Sequence, residues 1–220
     1  KPNMRSAFLF SIASDLWQRT SMNVLVLAPH PDDEALGCGG ALCLHADKGD
    51  QITVVFLTSG ELGLKDLARD EASRIREGEA RAAAKILGLS DLVFLRCRDS
   101  QLAEDSARAI AALLPLSEQA ALIYSPHAQE WHPDHKATVQ IARQLNLSAE
   151  SRCFEIWTPL KEPTQVVDIS AVWDRKLAAV RAHASQMSRW PYERAVAGLN
   201  QYRSAMSGKA GYAEAFSKGL

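Results

Sequence analysis

Six short runs of β-branched or aliphatic residues punctuate the chain: Val24–Ala28, Ile52–Thr58, Leu92–Leu95, Ala121–Ser125, Cys153–Trp157 and Val166–Ile169. Each is largely apolar rather than alternating with polar positions, the pattern of strands covered on both faces. Between them, apolar positions recur at helical spacing over Ala35–Lys48, Arg69–Leu87, Ala103–Leu114, His132–Leu145 and Ala171–Ala184, with Gly88 closing the second as a C-cap glycine. This alternation predicts an α/β protein: a single-domain Rossmann-like, mostly parallel sheet with helices on both faces. Residues 1–21 stand before the first strand as an N-terminal extension. From Arg189 the chain carries Trp190, Tyr192, Tyr202, Tyr212 and Phe216, so 189–220 is expected to add a helix and a closing segment packed on the same domain. No repeat, low-complexity tract or linker interrupts the 220 residues.

Composition narrows the function classes. Hydrophobic residues at 47% and charged residues at 23% are an ordinary globular balance, and a net charge of −1 supplies no field for holding a polyanion, which excludes nucleic acid as a partner. The four cysteines, Cys38, Cys43, Cys97 and Cys153, show no two-residue spacing and read as free thiols in a reducing compartment. The apolar run Ala7–Ala13 is short for a signal core and lacks a small-residue cleavage pattern, so a cytoplasmic location is expected. No stretch approaches the roughly 20 apolar residues of a transmembrane segment. Nothing in the pattern specifies an oligomeric state.

The chemistry concentrates in two clusters. Val24–Ala28 runs straight into Pro29-His30-Pro31-Asp32-Asp33-Glu34, and the carboxyl ends of strands are where open α/β sheets bind ligands. Two prolines stiffen the turn, and an imidazole with a carboxylate three residues later suits a divalent transition metal. Acids at a helix start also serve as caps, but capping needs one acid, not three beside a histidine. The second cluster, Glu130-Trp131-His132-Pro133-Asp134-His135, follows the strand Ala121–Ser125. Pro133 suits a first helical turn, and His132 and His135 then lie near one face, so either can reach the same metal. His45, His127 and His183 are expected to be structural histidines. Gly37-Cys38-Gly39-Gly40 does not fit a dinucleotide fingerprint, because some nine residues separate it from the strand and position 42 is Leu. These glycines are expected to let the helix approach its neighbours closely.

The stretch Ala28-Pro29-His30-Pro31-Asp32-Asp33-Glu34 with Leu36-Gly37-Cys38-Gly39-Gly40, and His132-Pro133-Asp134-His135 downstream, resembles the LmbE/PIG-L family of metal-dependent de-N-acetylases. Ser59-Gly60-Glu61, Arg76-x-x-Glu79 leading to Leu87-Gly88, His183-x-Ser185-Gln186 and Tyr212-Ala213-Glu214-Ala215-Phe216 resemble family segments in the same order, so the resemblance covers about residues 22–218. It implies His30, Asp33 and His135 as metal ligands and Asp32 as general base. It makes His132, oriented by Asp134, the group that stabilises the oxyanion, and places Arg76 and Asp99 on sugar hydroxyls; the alternative for these two is surface charges on a helix and a loop. The implied cofactor is zinc, with ferrous iron fitting the same ligands. The implied partner is a small-molecule amino sugar. One segment departs from the family: Ser125-Pro126-His127-Ala128-Gln129-Glu130-Trp131 lacks the aspartate or tyrosine that many members carry there, which puts sugar or acyl specificity in doubt. The resemblance assigns His183 no chemical step.

The expected activity is therefore a zinc-dependent hydrolase that removes the acetyl group from an N-acetylglucosamine-type amino sugar or its conjugate. Three other readings compete with it: hydrolysis of a non-sugar N-acyl compound, a non-haem iron oxygenase and a silent sugar-binding module. A two-histidine, one-carboxylate set also serves oxygenases, but these do not call for the extra carboxylate of Asp32. A silent module would not keep every residue to which a chemical step is assigned.

Overall fold

In the computed structural model, the described residues are 21–145 and 148–220. The apolar run Ala7–Ala13 and nearly all of the N-terminal extension lie outside them. Seven strands form one sheet: β1 (Asn23–Ala28), β2 (Gln51–Thr58), β3 (Asp91–Cys97), β4 (Leu122–Pro126), β5 (Glu150–Phe154), β6 (Gln165–Asp168) and β7 (Ala213–Lys218). Their order is β3-β2-β1-β4-β5-β7-β6. The first five strands pair in parallel, while β7 runs antiparallel to both β5 and β6. The helices are α1 (Asp33–Lys48), α2 (Arg69–Leu87), α3 (Ser106–Gln119), α4 (Pro133–Ala142), α5 (Trp173–Ala182), α6 (Ala184–Met187) and α7 (Tyr192–Met206), with short 3-10 turns at Glu61–Gly63 and Ser170–Val172.

Apolar runs without alternation arise because both faces of the sheet are covered. In β1, Val24, Val26 and Ala28 join one core with residues of α1, α2 and α5, while Leu25 and Leu27 join the other with α3 and α4. The tight glycines of α1 follow from its packing. A Cβ at Gly37 would lie 2.4 Å from the Phe154 ring, and one at Gly40 would lie 2.6 Å from Ile169. All four cysteines are free and buried. No helix among the described residues is long and apolar enough to cross a membrane.

The elements depart from the sequence expectation in four places. The strand expected at Cys153–Trp157 lies at Glu150–Phe154, because the amides of Ile156, Trp157 and Thr158 donate to the Glu130 carboxylate instead of to a neighbouring strand. The expected Ala103–Leu114 helix is Ser106–Gln119 and passes through Pro115; burial of Leu113 and Ser117 on either side outweighs the lost backbone bond. The expected Ala171–Ala184 helix breaks at His183, whose backbone (φ −81°, ψ 55°) separates α5 from α6. The closing segment ends in a strand, β7, which low β-propensity over Ala213-Glu214-Ala215 conceals.

After β1 the chain builds outward through β2 and β3, then returns to the other side of β1 for β4. The loops leaving β1 and β4 therefore diverge at a topological switch point, where a crevice opens at the carboxyl ends of the strands. Both charged clusters lie on these two loops.

Candidate metal centre and cleft

The loop after β1 is held open by its own polar groups. Thr58 donates to the Pro29 carbonyl through its amide (3.0 Å) and its hydroxyl (2.9 Å), which ties the loop to β2. The His30 amide donates to Asp33 Oδ2 at 2.9 Å. Asp32 then takes φ 140° and ψ −27°, a region side-chain-bearing residues rarely adopt. Three contacts hold it there: Arg76 Nη2 donates to the Pro31 carbonyl (2.6 Å) and lies 2.9 Å from Asp32 Oδ2, and the Asp32 amide donates to Glu34 Oε2 (3.1 Å). Although Asp32 is the N-cap of α1, its side chain makes no capping bond. The helix-capping account of this acidic run therefore does not apply to Asp32.

The loop after β4 is anchored by Glu130, whose Oε1 accepts three backbone amides at 3.0–3.2 Å. His127 reaches the Thr158 carbonyl at 2.6 Å, a structural role. His132 caps α4, with its Nδ1 accepting from the Asp134 amide at 3.3 Å, and Pro133 occupies the first turn. That bond leaves the proton of a neutral His132 on Nε2. Asp134 meets His132 through its backbone amide, while its carboxylate is engaged elsewhere. Asp134 accepts the amides of Ser100 (2.7 Å) and Leu102 (3.2 Å), and its Oδ2 lies 3.1 Å from His30 Nε2. It holds the loop after β3 against His30, and only its backbone touches His132.

The two loops meet. Asp33 Oδ2 lies 3.2 Å from His30 Nδ1 and 3.3 Å from His135 Nε2. His30, His132 and His135 present ring nitrogens within 4.8 Å of one another, as do His30, Asp99 and Asp134 with their own ligand atoms. His135 is fully buried, yet neither ring nitrogen makes an aligned hydrogen bond; Glu130 Oε2, 3.8 Å behind Nδ1, is also unpartnered. A buried imidazole is normally satisfied, so these orphaned nitrogens fit a cation at the centre, with Glu130 behind the ligand. The electrostatics agree. Burial works against charging His30, but Asp134, Asp33 and Asp99 together hold it well above its ordinary pKa. Burial likewise opposes ionising Asp33, and His135 and His30 overcome it and hold the carboxyl well below its usual range. Burial, followed by the repulsion of His30 and His135, holds His132 below its ordinary value. Carboxylates thus surround a place that favours positive charge.

Asp99 and Arg76 are not surface charges. Asp99 is buried, accepts the Leu62 amide at 2.8 Å and lies 3.6 Å from His30 Nε2. Arg76 falls on the buried stripe of α2 with Ala72, Ala80 and Leu87 and donates to the Gly60 carbonyl at 2.7 Å. A Cβ at Gly60, itself at φ 60°, would lie 1.9 Å from Arg76 Nη1, which explains the glycine. Two residues outside the expected set complete the support. Glu34 bridges the Asp32 amide to His183 Nε2 (3.2 Å), and Glu79 accepts the Ser185 amide and hydroxyl, both at 2.7 Å. The His-x-Ser-Gln segment was the sequence signal for this pair. All of this borders a cleft of about 480 Å³, lined by His30, Asp32, Asp33, Arg76, Asp99 and His132 among others.

Fold and site together define a Rossmann-like α/β protein with a histidine–carboxylate set, able to hold a metal, at its switch point. Residues 25–146 match the PIG-L family, described as GlcNAc-PI de-N-acetylase, and the chain belongs to this family. It is 32% identical over 185 residues to the probable N-acetyl-alpha-D-glucosaminyl L-malate deacetylase 2 of Bacillus cereus, covering 74% of this chain and 83% of that protein. It is also 26% identical over 202 residues to the 4-oxalmesaconate hydratase of Pseudomonas putida, covering 80% and 78%. Among solved structures, the conserved protein TT1542 from Thermus thermophilus superposes with a TM-score of 0.78 at 30% identity, over 90% of this chain and 95% of that one.

Proposed function

We propose that the cleft removes the acetyl group from an N-acetylglucosamine-type amino sugar or its conjugate, using a zinc or ferrous ion held by His30, Asp33 and His135. The observation that carries this reading is the buried His135, with no aligned hydrogen bond at either nitrogen and facing the same Asp33 oxygen as His30, beside a separate carboxylate, Asp32, that faces Arg76. An amide resists neutral water, and a divalent metal in such a set supplies an acidified water and a polarised carbonyl.

The chain's own residues supply the proton transfers. Burial first, then the neighbouring Asp33 charge, push the Asp32 carboxyl up to about 6, with Arg76 opposing them. A base poised near neutrality takes the water's proton and later delivers it to the nitrogen of the departing amine, leaving acetate and the free amino sugar. His132, neutral with its proton on Nε2, donates a hydrogen bond to the oxygen on which charge develops. Asp134 positions His30 and the Ser100 loop. Asp99 and Arg76 border the space a sugar ring would take, and both already hold the walls of the cleft. The four buried free thiols fit action in the reducing cytoplasm on a small-molecule substrate.

The deacetylase relative and the family description support this substrate class. One relative is named a hydratase, and one scaffold can host more than one chemistry, so addition of water to an unsaturated acid is the second reading. Acetate release from a panel of free and conjugated N-acetylglucosamine compounds, with metal content assayed alongside, tests both. Asp32→Ala and His132→Ala are each expected to keep the metal and lose about 10²-fold or more of the activity. Full activity in both rejects the assigned roles, and turnover of an unsaturated acid without acetate release favours the hydratase reading.

A further inference from the structure

Beyond His132, one wall of the cleft carries four aromatic side chains to which no catalytic step is assigned: Trp131, Trp157, Trp190 and Tyr192. Trp131 and Trp190 are 59% and 56% exposed, although an indole gains more from burial than almost any other side chain. The rings follow one another from His132 at similar spacing. Centroids are 5.6 Å apart from His132 to Trp131, 6.0 Å from Trp131 to Trp157 and 6.4 Å from Trp157 to Trp190. Trp157 also lies 5.5 Å from the Tyr192 ring.

The other groups bordering this space decide what it suits. Gln186 and Lys65 line the same cleft, so flat aromatic faces stand among residues that carry hydrogen-bonding groups. A lipid tail calls for a continuous aliphatic trough. A pyranose presents flat C–H faces that stack on indole and edges of hydroxyls that need donors and acceptors. The wall is also continuous with the site, because Trp131 directly precedes His132 in the chain. We propose that this wall is a subsite for a second sugar ring, beside the ring that bears the acetamide. The preferred substrate is then an N-acetylglucosaminyl disaccharide or longer saccharide rather than the free monosaccharide. This rests on the deacetylase reading and deepens it. Energy gained on the second ring is available to align the acetamide at the centre.

The experiment compares kcat/KM for acetate release from N-acetylglucosamine, from N,N'-diacetylchitobiose and from an octyl glycoside of N-acetylglucosamine, in the wild type and in Trp131→Ala, Trp190→Ala and Trp190→Phe. In each alanine variant the disaccharide-to-monosaccharide ratio is expected to fall about tenfold, mainly through KM, and Trp190→Phe is expected to restore most of it. An unchanged ratio overturns the proposal. So does a ratio that changes only for the octyl glycoside, which would assign the wall to an apolar aglycone. If the wild type releases no acetate from any of the three, the deacetylase reading fails separately, and calorimetric titration then judges the wall alone. Disaccharide binding at least about tenfold tighter than monosaccharide binding, and lost in Trp190→Ala, supports the subsite; equal affinities overturn it.

Discussion

Two buried carboxylates, Glu214 and Asp32, show how differently the same chemical group can be matched in two regions of the molecule. Glu214 on β7 is 1% exposed and fully matched. Its oxygens accept the amides of Gly40 (2.7 Å) and Ala41 (2.8 Å), and Lys176 Nζ lies 2.6 Å away. Asp32 is 5% exposed, and among the described residues its close ion pair is with Arg76, at 2.9 Å, on a guanidinium that also serves the carbonyls of Gly60 and Pro31. Its backbone sits at φ 140° and a second carboxylate follows it in the chain. Burial is comparable, so burial does not distinguish them; the number of donors does. A carboxylate with three donors closes a helix onto a sheet. One with a shared cation and an acidic neighbour keeps a raised proton affinity, which the base role proposed for Asp32 calls for.

The contrast can be broken by experiment. The largest effect is chemical: Asp32→Asn is expected to lower acetate release by about 10²- to 10⁴-fold with metal content unchanged, as read by atomic emission. A loss under threefold would remove Asp32 from the proton transfers. Next, Glu214→Gln leaves the Lys176 ammonium buried without its counter-charge and is expected to cost about 3–5 kcal/mol in urea unfolding, most of it regained on adding Lys176→Met. If the double variant is as unstable as the single one, the pair is not the reason Glu214 is there.

Asp32→Asn should move stability the other way in the metal-free protein. Its folded carboxyl is raised to about 6 from 3.8, so the folded state holds the proton more tightly than the unfolded one. That contribution is fully present below pH 4 and is lost as pH rises through 6. Asparagine is therefore expected to stabilise the chelated protein by about 1–2 kcal/mol at pH 7, with no gain at pH 3.5. Equal stability curves for the two proteins would make Asp32 as settled as Glu214. Metal retention offers a related test: His135→Ala is expected to abolish the rise in melting temperature that added zinc gives the wild type. The smallest effect is expected at the support behind Asp32. His183→Ala is expected to lower kcat about three- to tenfold with little change in KM, and His183→Gln to recover part of it because an amide can still donate to Glu34. A pure KM effect would place His183 on substrate instead.

Much of the fold was legible because the parallel strands are buried on both faces, and such burial writes continuous apolar runs into β1, β2 and β4. Gly88 announced its turn through its position after Leu87, and it does take φ 85°. The helix break at His183 and the strand β7 were not legible, since a kink paired to Glu34 and a strand carrying a buried Glu214 obey partners 149 and 174 residues distant in the chain. The site divided in the same way. His30, Asp32, Asp33, His132 and His135 stood out as titratable residues crowded after strands. Arg76 fell on a helical stripe of small apolar residues, a signal that it was buried. Glu34, Glu79 and Glu130 stood inside the quoted motifs, but their supporting roles were not legible, because an acid in a motif looks the same whether it is solvated or accepts backbone amides.

The order of apolar and polar residues by itself determined an α/β sheet with two charged loops at strand ends, because periodicity and turn chemistry are local properties of the chain. Only the tertiary structure decided that Asp33 lies between His30 and His135, that the Asp134 carboxylate faces His30 while its amide holds His132, and that Asp32 shares Arg76 with two carbonyls while Glu214 gathers two amides and Lys176. Those outcomes depend on which loops the return from β3 to β4 brings together, and proximity across a hundred residues is set by packing, not by neighbours in sequence.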